Sequence, residues 1–309
     1  VPDLFMVLRG LIDETRRQGR KGEQFLLLGS ASMDLLRQSS ESLAGRISYL
    51  EMTGFNILET PTPLQKLWYR GGFPESYLAD TDSHSMDWLK MFIRTYLERD
   101  IPQLGFRVPA ERLRRLWVML AHLQGEAVHL SKIAGNLDID PKTVTHYIDI
   151  FTDLLLMRRL LPWHENVKKR LIKSPRLYIR DSGILHQLLG IQNFESLLFN
   201  PIMGKSFEGF VIENIFSALP SGVEAYYYRT AAGAEIDLIL KFSNDQVWAI
   251  EIKHGLSPKI KAGFHQSAQD VQATRKFVIY SGDDAFSVGN DTTVISLSGF
   301  IERVRENQI

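Results

Sequence analysis

A chain of 309 residues is long for a single hydrophobic core and points to two or three domains of about 100–150 residues each. Lysine plus arginine and aspartate plus glutamate stand at 36 each, so no global field draws the molecule to nucleic acid or an anionic membrane, and any such contact needs a local patch. The absence of cysteine excludes disulfides, thiolate zinc sites and a cysteine nucleophile, and no apolar run approaches the roughly 18 residues of a membrane span. No secretory signal is read, so a cytoplasmic protein without membrane contact is expected. The opening Val1-Pro2-Asp3, in place of a methionine, suggests a fragment.

The first predicted element is a helix from Leu4 to Arg17, with Leu4, Val7, Leu8, Leu11 and Ile12 on one face. After a Gly/Lys/Arg-rich turn, the run Gln24-Phe25-Leu26-Leu27-Leu28-Gly29-Ser30 predicts a strand buried on both faces, the tail of an α/β sandwich. Pro61 and Pro63 mark a junction. From Leu64 to Leu123 the period is helical, carried by Leu64/Leu67/Trp68, Trp88/Met91/Phe92/Tyr96 and Leu113/Leu116/Trp117/Leu120. A short helix from Leu130 to Ala134, a turn at Asp138-Ile139-Asp140, a helix from Pro141 through Leu155, and a ribbon at Leu156–Pro162 and Arg176–Ile179 together predict a winged helix. The last third opens with Asp181-Ser182-Gly183 and a helix to Leu189. A helix from Lys205 to Leu219 follows, then strands over Ala225–Arg229, Ile236–Phe242 and Val247–Ile252. A helical stretch over Ile260–Thr274, a strand at Lys276–Tyr280 and a terminal helix from Leu297 to Asn307 complete an α/β domain.

The chemistry concentrates near the C-terminus. Asp237 lies inside Glu235-Ile236-Asp237-Leu238-Ile239-Leu240, and Glu251-Ile252-Lys253 closes the next strand. Alternate strand residues share a face, so Glu251 and Lys253 point the same way and a hairpin partner brings Asp237 beside them. Carboxylates ending on adjacent strands can grip one hard cation such as magnesium while a lysine approaches a phosphate or the attacking water. Asp237 and Glu251 are the candidate metal ligands and Lys253 the charge stabiliser; Glu208, on the preceding helix, is a further acid, with Glu213 competing for that place. The plainer alternatives are strand-end charges joined by a Lys253–Glu251 salt bridge, or a degenerate form of such a site.

Asp237 with Glu251-x-Lys253 resembles the PD-(D/E)XK nuclease motif, and related nucleases imply a polar positioning role for Gln266 in the following helix. The wider chain resembles the bacterial and archaeal AAA-type ATPases that carry a C-terminal domain of unknown function related to those nucleases. The matching stretches are Ser42-Leu43-Ala44-Gly45-Arg46, Gly71-Gly72-Phe73-Pro74-Glu75, Thr95-Tyr96-Leu97-Glu98-Arg99-Asp100-Ile101 and Tyr178-Ile179-Arg180-Asp181-Ser182-Gly183, with the nuclease-like set last. The resemblance implies a partial AAA-type α/β core at 1–60, a helical segment at 61–124, a winged helix at 125–180 and a restriction-endonuclease-like α/β domain at 181–309. In this family Walker A and Walker B motifs precede the point where the sequence begins, so ATP binding is implied for the complete protein and not for this chain alone. Ser30 then resembles the polar sensor beside the γ-phosphate, and Arg46 an arginine finger; the plain alternatives are a strand end for Ser30 and pairing with Glu41 or Glu51 for Arg46.

Gly204-Lys205-Ser206 is not a P-loop, because Phe199 stands where the motif requires glycine and no buried strand precedes it. A helix start with a capping role suffices. On the predicted winged helix, Lys142, Thr143, Thr145 and His146 are candidate DNA contacts, and Arg158, Arg159, Lys168, Lys169, Arg170 and Lys173 form a basic cluster on the wing. Asp138, Asp140, Asp149 and Asp153 oppose them. The functions left in play are a nucleotide-driven switch acting on DNA or a protein partner, with magnesium-dependent cleavage if the carboxylate site is active; a non-catalytic interaction protein of a toxin-antitoxin or defence-like system; and a winged-helix DNA-binding regulator. A homo-oligomer is a candidate assembly.

Overall fold

The computed structural model describes residues 4–20, 22, 24–28, 43–60, 63–165, 169–289 and 291–306. Its strands are β1 (Met157–Pro162), β2 (Arg176–Ile179), β3 (Glu224–Arg229), β4 (Glu235–Lys241), β5 (Val247–Ile252), β6 (Arg275–Tyr280), β7 (Phe286–Val288) and β8 (Thr292–Ser296). They form one eight-stranded mixed sheet in the order β2-β1-β3-β4-β5-β6-β8-β7. β5 is buried along its whole length and pairs in parallel with β6, which suits a continuous apolar run covered on both faces. The helices Met203–Ala218 and Leu297–Glu306 cover one face, where Phe207, Val211 and Phe300 share a core with Leu238, Trp248, Ile250 and Phe277. The helix Ala262–Asp270 covers the other, packing Phe264 and Ala268 on Tyr228, Ile239 and Ala249. The fold class is mixed α/β.

The helical middle joins the same core: Leu67, Trp68, Leu113, Leu116, Trp117, Val144 and Phe151 are buried with Leu177, Tyr178 and Ile179 of β2. In the helix Asp82–Thr95 the buried face is Ser85, Met86, Leu89 and Ile93. The expected Trp88/Met91/Phe92/Tyr96 face differs: Trp88, Phe92 and Tyr96 form a half-buried stacked ladder with centroids 5.3 Å apart at each step, and Met91 is exposed. Large rings at successive turns bury one another, which mimics a core stripe in sequence.

Three expectations are corrected. The run Gln24–Leu28 forms no strand, and Leu26 and Leu28 are 78% and 82% exposed; a strand needs backbone partners, and none pairs with it among the described residues. The ribbon at Met157–Pro162 and Arg176–Ile179 pairs antiparallel as expected, but β1 also pairs in parallel with β3, so it is the edge of the large sheet and not a projecting wing. Three of its basic residues are spent internally, Arg158 pairing with Glu213, Arg159 with Asp149 and Lys169 with Asp270, while Arg170 and Lys173 are exposed. Lys168 lies outside the described residues. The helices Leu130–Leu137 and Pro141–Asp153 are present, the second capped by the Asp140 side chain with Pro141 in its first turn.

Two of the motif stretches lock into each other. The Asp181 carboxylate accepts from the Gly72 amide at 2.7 Å and from the Ile184 amide at 2.8 Å, capping the helix Ser182–Leu188. Gly71 has φ 77° and ψ −177°, a region essentially restricted to glycine, and a Cβ there would stand 2.2 Å from the Asp181 carboxylate. Gly71→Ala should therefore lower stability by about 3 kcal/mol or more in denaturant titrations, the backbone cost alone being of order 1–3 kcal/mol. Gly10→Ala, whose Cβ would meet open space in the first helix, should be neutral or mildly stabilising.

Candidate functional site

β4 carries the first carboxylates. Tyr226 faces Ile239 while Tyr228 faces Ile236, so β4 holds one residue more than β3 in that interval, a bulge centred on Asp237 and Leu238. Beyond it the β4–β5 ladder ends at Leu238 opposite Ile250, and the Ile252 amide donates to Asp237 Oδ2 at 3.0 Å in place of a ladder carbonyl. The splayed strand ends bring Asp237 beside Glu251 and Lys253. Lys253 Nζ lies 2.5 Å from Glu251 Oε1.

The Met203–Ala218 helix supplies Glu208, whose Oε1 accepts from the Tyr178 hydroxyl at 2.7 Å and whose Oε2 accepts from Lys205 Nζ at 2.6 Å. Glu213, the competing candidate, is taken by Arg158 and by Arg180 Nε at 2.9 Å. Between helix and sheet stands Arg176, fully buried at the start of β2. Its Nη1 is 3.7 Å from Glu208 Oε1 and 3.6 Å from Asp237 Oδ1, its Nη2 donates to Glu235 Oε2 at 2.8 Å, and its guanidinium carbon lies 4.6 Å from the centroid of the Tyr227 ring. Four carboxylates thus meet Arg176, Lys205 and Lys253, with Arg229 at the rim 3.8 Å from Glu235.

Burial opposes charge on every member, and neighbouring signs decide the outcome. For Arg176 burial works against the guanidinium, but Tyr178, Glu208, Asp237 and Glu235 outweigh it and hold its pKa above the ordinary value. Each charge contact near 3.6 Å is worth about 4–5 kcal/mol at an effective dielectric near 20, enough to offset a desolvation penalty of several kcal/mol per ion. Burial and the Asp237 charge push Glu251 up to about 7, against the pull of Lys253. Glu208 is raised by burial and by Asp237. A carboxyl titrating near neutrality has the form of a general base, but Glu251 is 2% exposed and its Oε1 is held by Lys253.

A magnesium ion does not fit this arrangement. The hard cation needs carboxylate oxygens at about 2.0–2.1 Å, whereas a guanidinium nitrogen lies between those of Glu208 and Asp237. Among the described residues no group of three His, Asp or Glu side chains is placed to share an ion. Gln266 does not join the cluster; it is exposed, within 3.4 Å of Gln269 and 3.5 Å of Asp270. Ser30 lies outside the described residues. Glu41 lies outside the described residues and Glu51 pairs with Arg180, while Arg46 Nε and Nη2 meet the two Asp13 carboxylate oxygens at 2.7 and 3.0 Å, which engages the charge an arginine finger would need free. Lys205 and Ser206 serve the core and no cap, since Ser206 accepts from Trp68 Nε1 at 2.9 Å and meets His186 Nε2 at 2.7 Å.

Sequence reasoning passed over Arg176, Tyr178, Lys205 and Glu235. The available signal was an arginine two residues before a tyrosine in the apolar strand Arg-Leu-Tyr-Ile, which places both on one face.

Residues 1–60 match an AAA domain family, residues 62–195 a domain of unknown function (DUF8612) and residues 203–300 another domain of unknown function (DUF4143). The leading segment is thus similar to an AAA domain, and two segments of unassigned activity follow. Two proteins described as uncharacterized, from Mycobacterium bovis and Mycobacterium tuberculosis, are each 41% identical over 295 residues, covering 95% of this chain and 65% of their own length. The chain thus spans about two-thirds of the curated relatives it matches, just under that fraction at 65%. A chain of the tetradecameric assembly of Thermococcus gammatolerans McrB AAA+ hexamers with bound McrC aligns over 72% of this chain and 77% of its own, at 11% identity and a TM-score of 0.26. That likeness is too distant to carry an inference. No described helix is long and apolar enough to cross a membrane.

The raised Glu251 pKa has a definite sign. A carboxyl whose folded pKa lies above its unfolded value stabilises the protein below the unfolded pKa, and that contribution is lost as pH rises through the folded one. Between pH 4.5 and about 7 the stability of the wild type should fall relative to Glu251→Gln, with the two profiles parallel outside that window. Chemical denaturation of both proteins across pH measures the difference.

Proposed function

We propose that this chain is the output part of a nucleotide-driven AAA-type switch, in which ATP and magnesium bind at Walker motifs outside these 309 residues and the C-terminal α/β domain engages a protein partner. The observation that carries this reading is the grip of one helix on the AAA-matched segment. On Met203–Ala218, the Asn214 Oδ1 accepts from the Ile57 amide at 2.9 Å, and Glu213 shares Arg180 with Glu51. Glu213 remains ionised because Arg158 and Arg180 overcome the effect of its burial. Glu51 and Ile57 fall within the AAA match and Glu213 and Asn214 within the DUF4143 match, so movement in the first has a polar connection to the second, and Glu208 lies on the same helix.

A protein partner is favoured over DNA because Arg158, Arg159 and Lys169 are already paired with acids, which leaves fewer cations on that face to neutralise phosphates. A catalytic nuclease role fits less well, since an arginine sits among the carboxylates. The domain is better read as a non-catalytic relative of the nuclease fold that the sequence resembles.

In a protein carrying the complete ATPase, adding ATP and magnesium should change amide exchange across 203–218, and Arg180→Ala should remove that response while leaving ATP hydrolysis intact. Unchanged exchange in the parent protein, with ATP demonstrably bound, would contradict the coupling.

A further inference from the structure

A groove on the helical middle segment collects cations that the rest of the fold does not use. It runs between the helices Asp82–Thr95 and Ala110–His122 and meets the end of Ser182–Leu188. At the Ser182–Leu188 end, Lys90, Arg114 and Gln187 line a notch of about 10 Å³. Lys90 and Arg114 are exposed and Gln187 is half-buried, and none of the three side chains has a hydrogen-bond or ion-pair partner among the described residues. A wider notch of about 40 Å³ adjoins it, lined by Arg94, Leu97, Glu98, Glu111 and again Arg114. Arg94 meets Glu98 at 3.2 Å, but both are largely exposed, and a surface pair of this kind contributes little, so Arg94 can turn to another carboxylate. The backbone is irregular at this point. Pro102 has no amide to give the Glu98 carbonyl four residues back, and the Ile101 amide reaches five residues back to the Tyr96 carbonyl, which makes Tyr96–Asp100 a π-turn. Such turns recur at functional sites, and this one carries Leu97 and Glu98 into the lining of the groove.

We propose that this groove is a docking site for an acidic segment of a protein partner, with one carboxylate seated between Lys90 and Arg114 and hydrogen-bonded by Gln187. Size decides against a small-molecule ligand. One water-sized group needs about 10–15 Å³, so the smaller notch takes a single oxygen and the larger about three such groups, the head of a carboxylate side chain. Ligand pockets run to roughly 300–1,000 Å³. Charge decides the class of macromolecule. Lys90, Arg94 and Arg114 attract carboxylates, and unpaired donors at the Gln187 end fix where one of them sits. Glu98 and Glu111 stand in the path of a continuous phosphate backbone, whereas a peptide can place its acids beside the cations and other side chains beside the acids. The groove lies within the DUF8612 match and not on the C-terminal domain, so the proposal goes beyond the nucleotide-driven reading and does not rest on it.

The probe is a fluorescein-labelled peptide of alternating glutamate and alanine, followed by fluorescence anisotropy as the whole chain is titrated in, beside a single-stranded DNA oligonucleotide of equal charge. The salt is held at about 0.15 M, where exposed charges more than about 8 Å apart are largely screened. The wild type should bind the peptide, and Lys90→Glu/Arg114→Glu should weaken binding at least about tenfold. Arg170→Glu/Lys173→Glu, an equal reversal of charge on exposed residues beside the sheet edge, should leave it unchanged. Circular dichroism establishes that each variant is folded; if the groove reversal is not, Lys90→Gln/Arg114→Gln replaces it, removing the charge and keeping a polar head. No binding by the wild type, binding that the groove variant retains, or an equal loss in the sheet-edge variant would overturn the proposal. Tighter binding of the DNA that the groove variant abolishes would also overturn it, making the groove a phosphate-binding surface.

Discussion

A guanidinium taken wholly out of water must be surrounded by negative charge, and the burial of Arg176 among Glu208, Glu235 and Asp237 imposes that condition on three elements far apart in sequence. Arg176 must reach β4 although β1 and β3 separate β2 from it in the sheet, and the Met203–Ala218 helix must present Glu208 inward. The long Arg176 side chain meets the first requirement by passing over the Tyr227 ring of β3 to Asp237, the bulge in β4 releases Asp237 from strict alternation, and Tyr178, two residues along β2, fixes Glu208 by its hydroxyl. Removing one partner from such a set typically costs about 3–5 kcal/mol because the others are left uncompensated. The cluster is thus both the most polar part of the core and a condition for the sheet's order.

The Met203–Ala218 helix distributes this constraint. Along its length Ser206 holds Trp68 and His186, Glu208 enters the charge cluster, Glu213 binds Arg158 and Arg180, and Asn214 holds the backbone at Ile57. Its apolar residues alone would leave its rotation about its axis loosely set, since it is hydrophobic nearly all round. The polar contacts define one rotation. Buried His186 supports the same packing in its neutral form, its pKa lowered to about 4 by burial. A rigid helix with polar contacts on the AAA-matched segment at one end and a charged core near the other is suited to carrying a conformational signal.

Much of the C-terminal sheet was legible in the sequence because β3 to β6 have long apolar runs bounded by turns, and Asp237, Glu251 and Lys253 stood out as charges inside them. β7 and β8 were not, being only 3 and 5 residues long, too short for a periodic pattern to stand out. The ribbon was visible but its membership of the sheet was not, because the pairing of β1 with β3 joins Leu161 to Tyr226 and Pro162 to Tyr227 across a long sequence separation. The same distance hid Arg176: nothing local states that a strand arginine will meet a helix glutamate and an aspartate on another strand. Phe25–Leu28 erred in the opposite direction, since apolar composition signals strand propensity but not the presence of a partner.

A side chain, and not an ion, balances Glu208 and Asp237. Anomalous diffraction from crystals of the unmodified chain soaked in manganese should therefore show guanidinium density between the two carboxylates and no anomalous peak within coordination distance of Asp237 or Glu251. A manganese peak bound to both, with Arg176 displaced, would show that an ion holds that position.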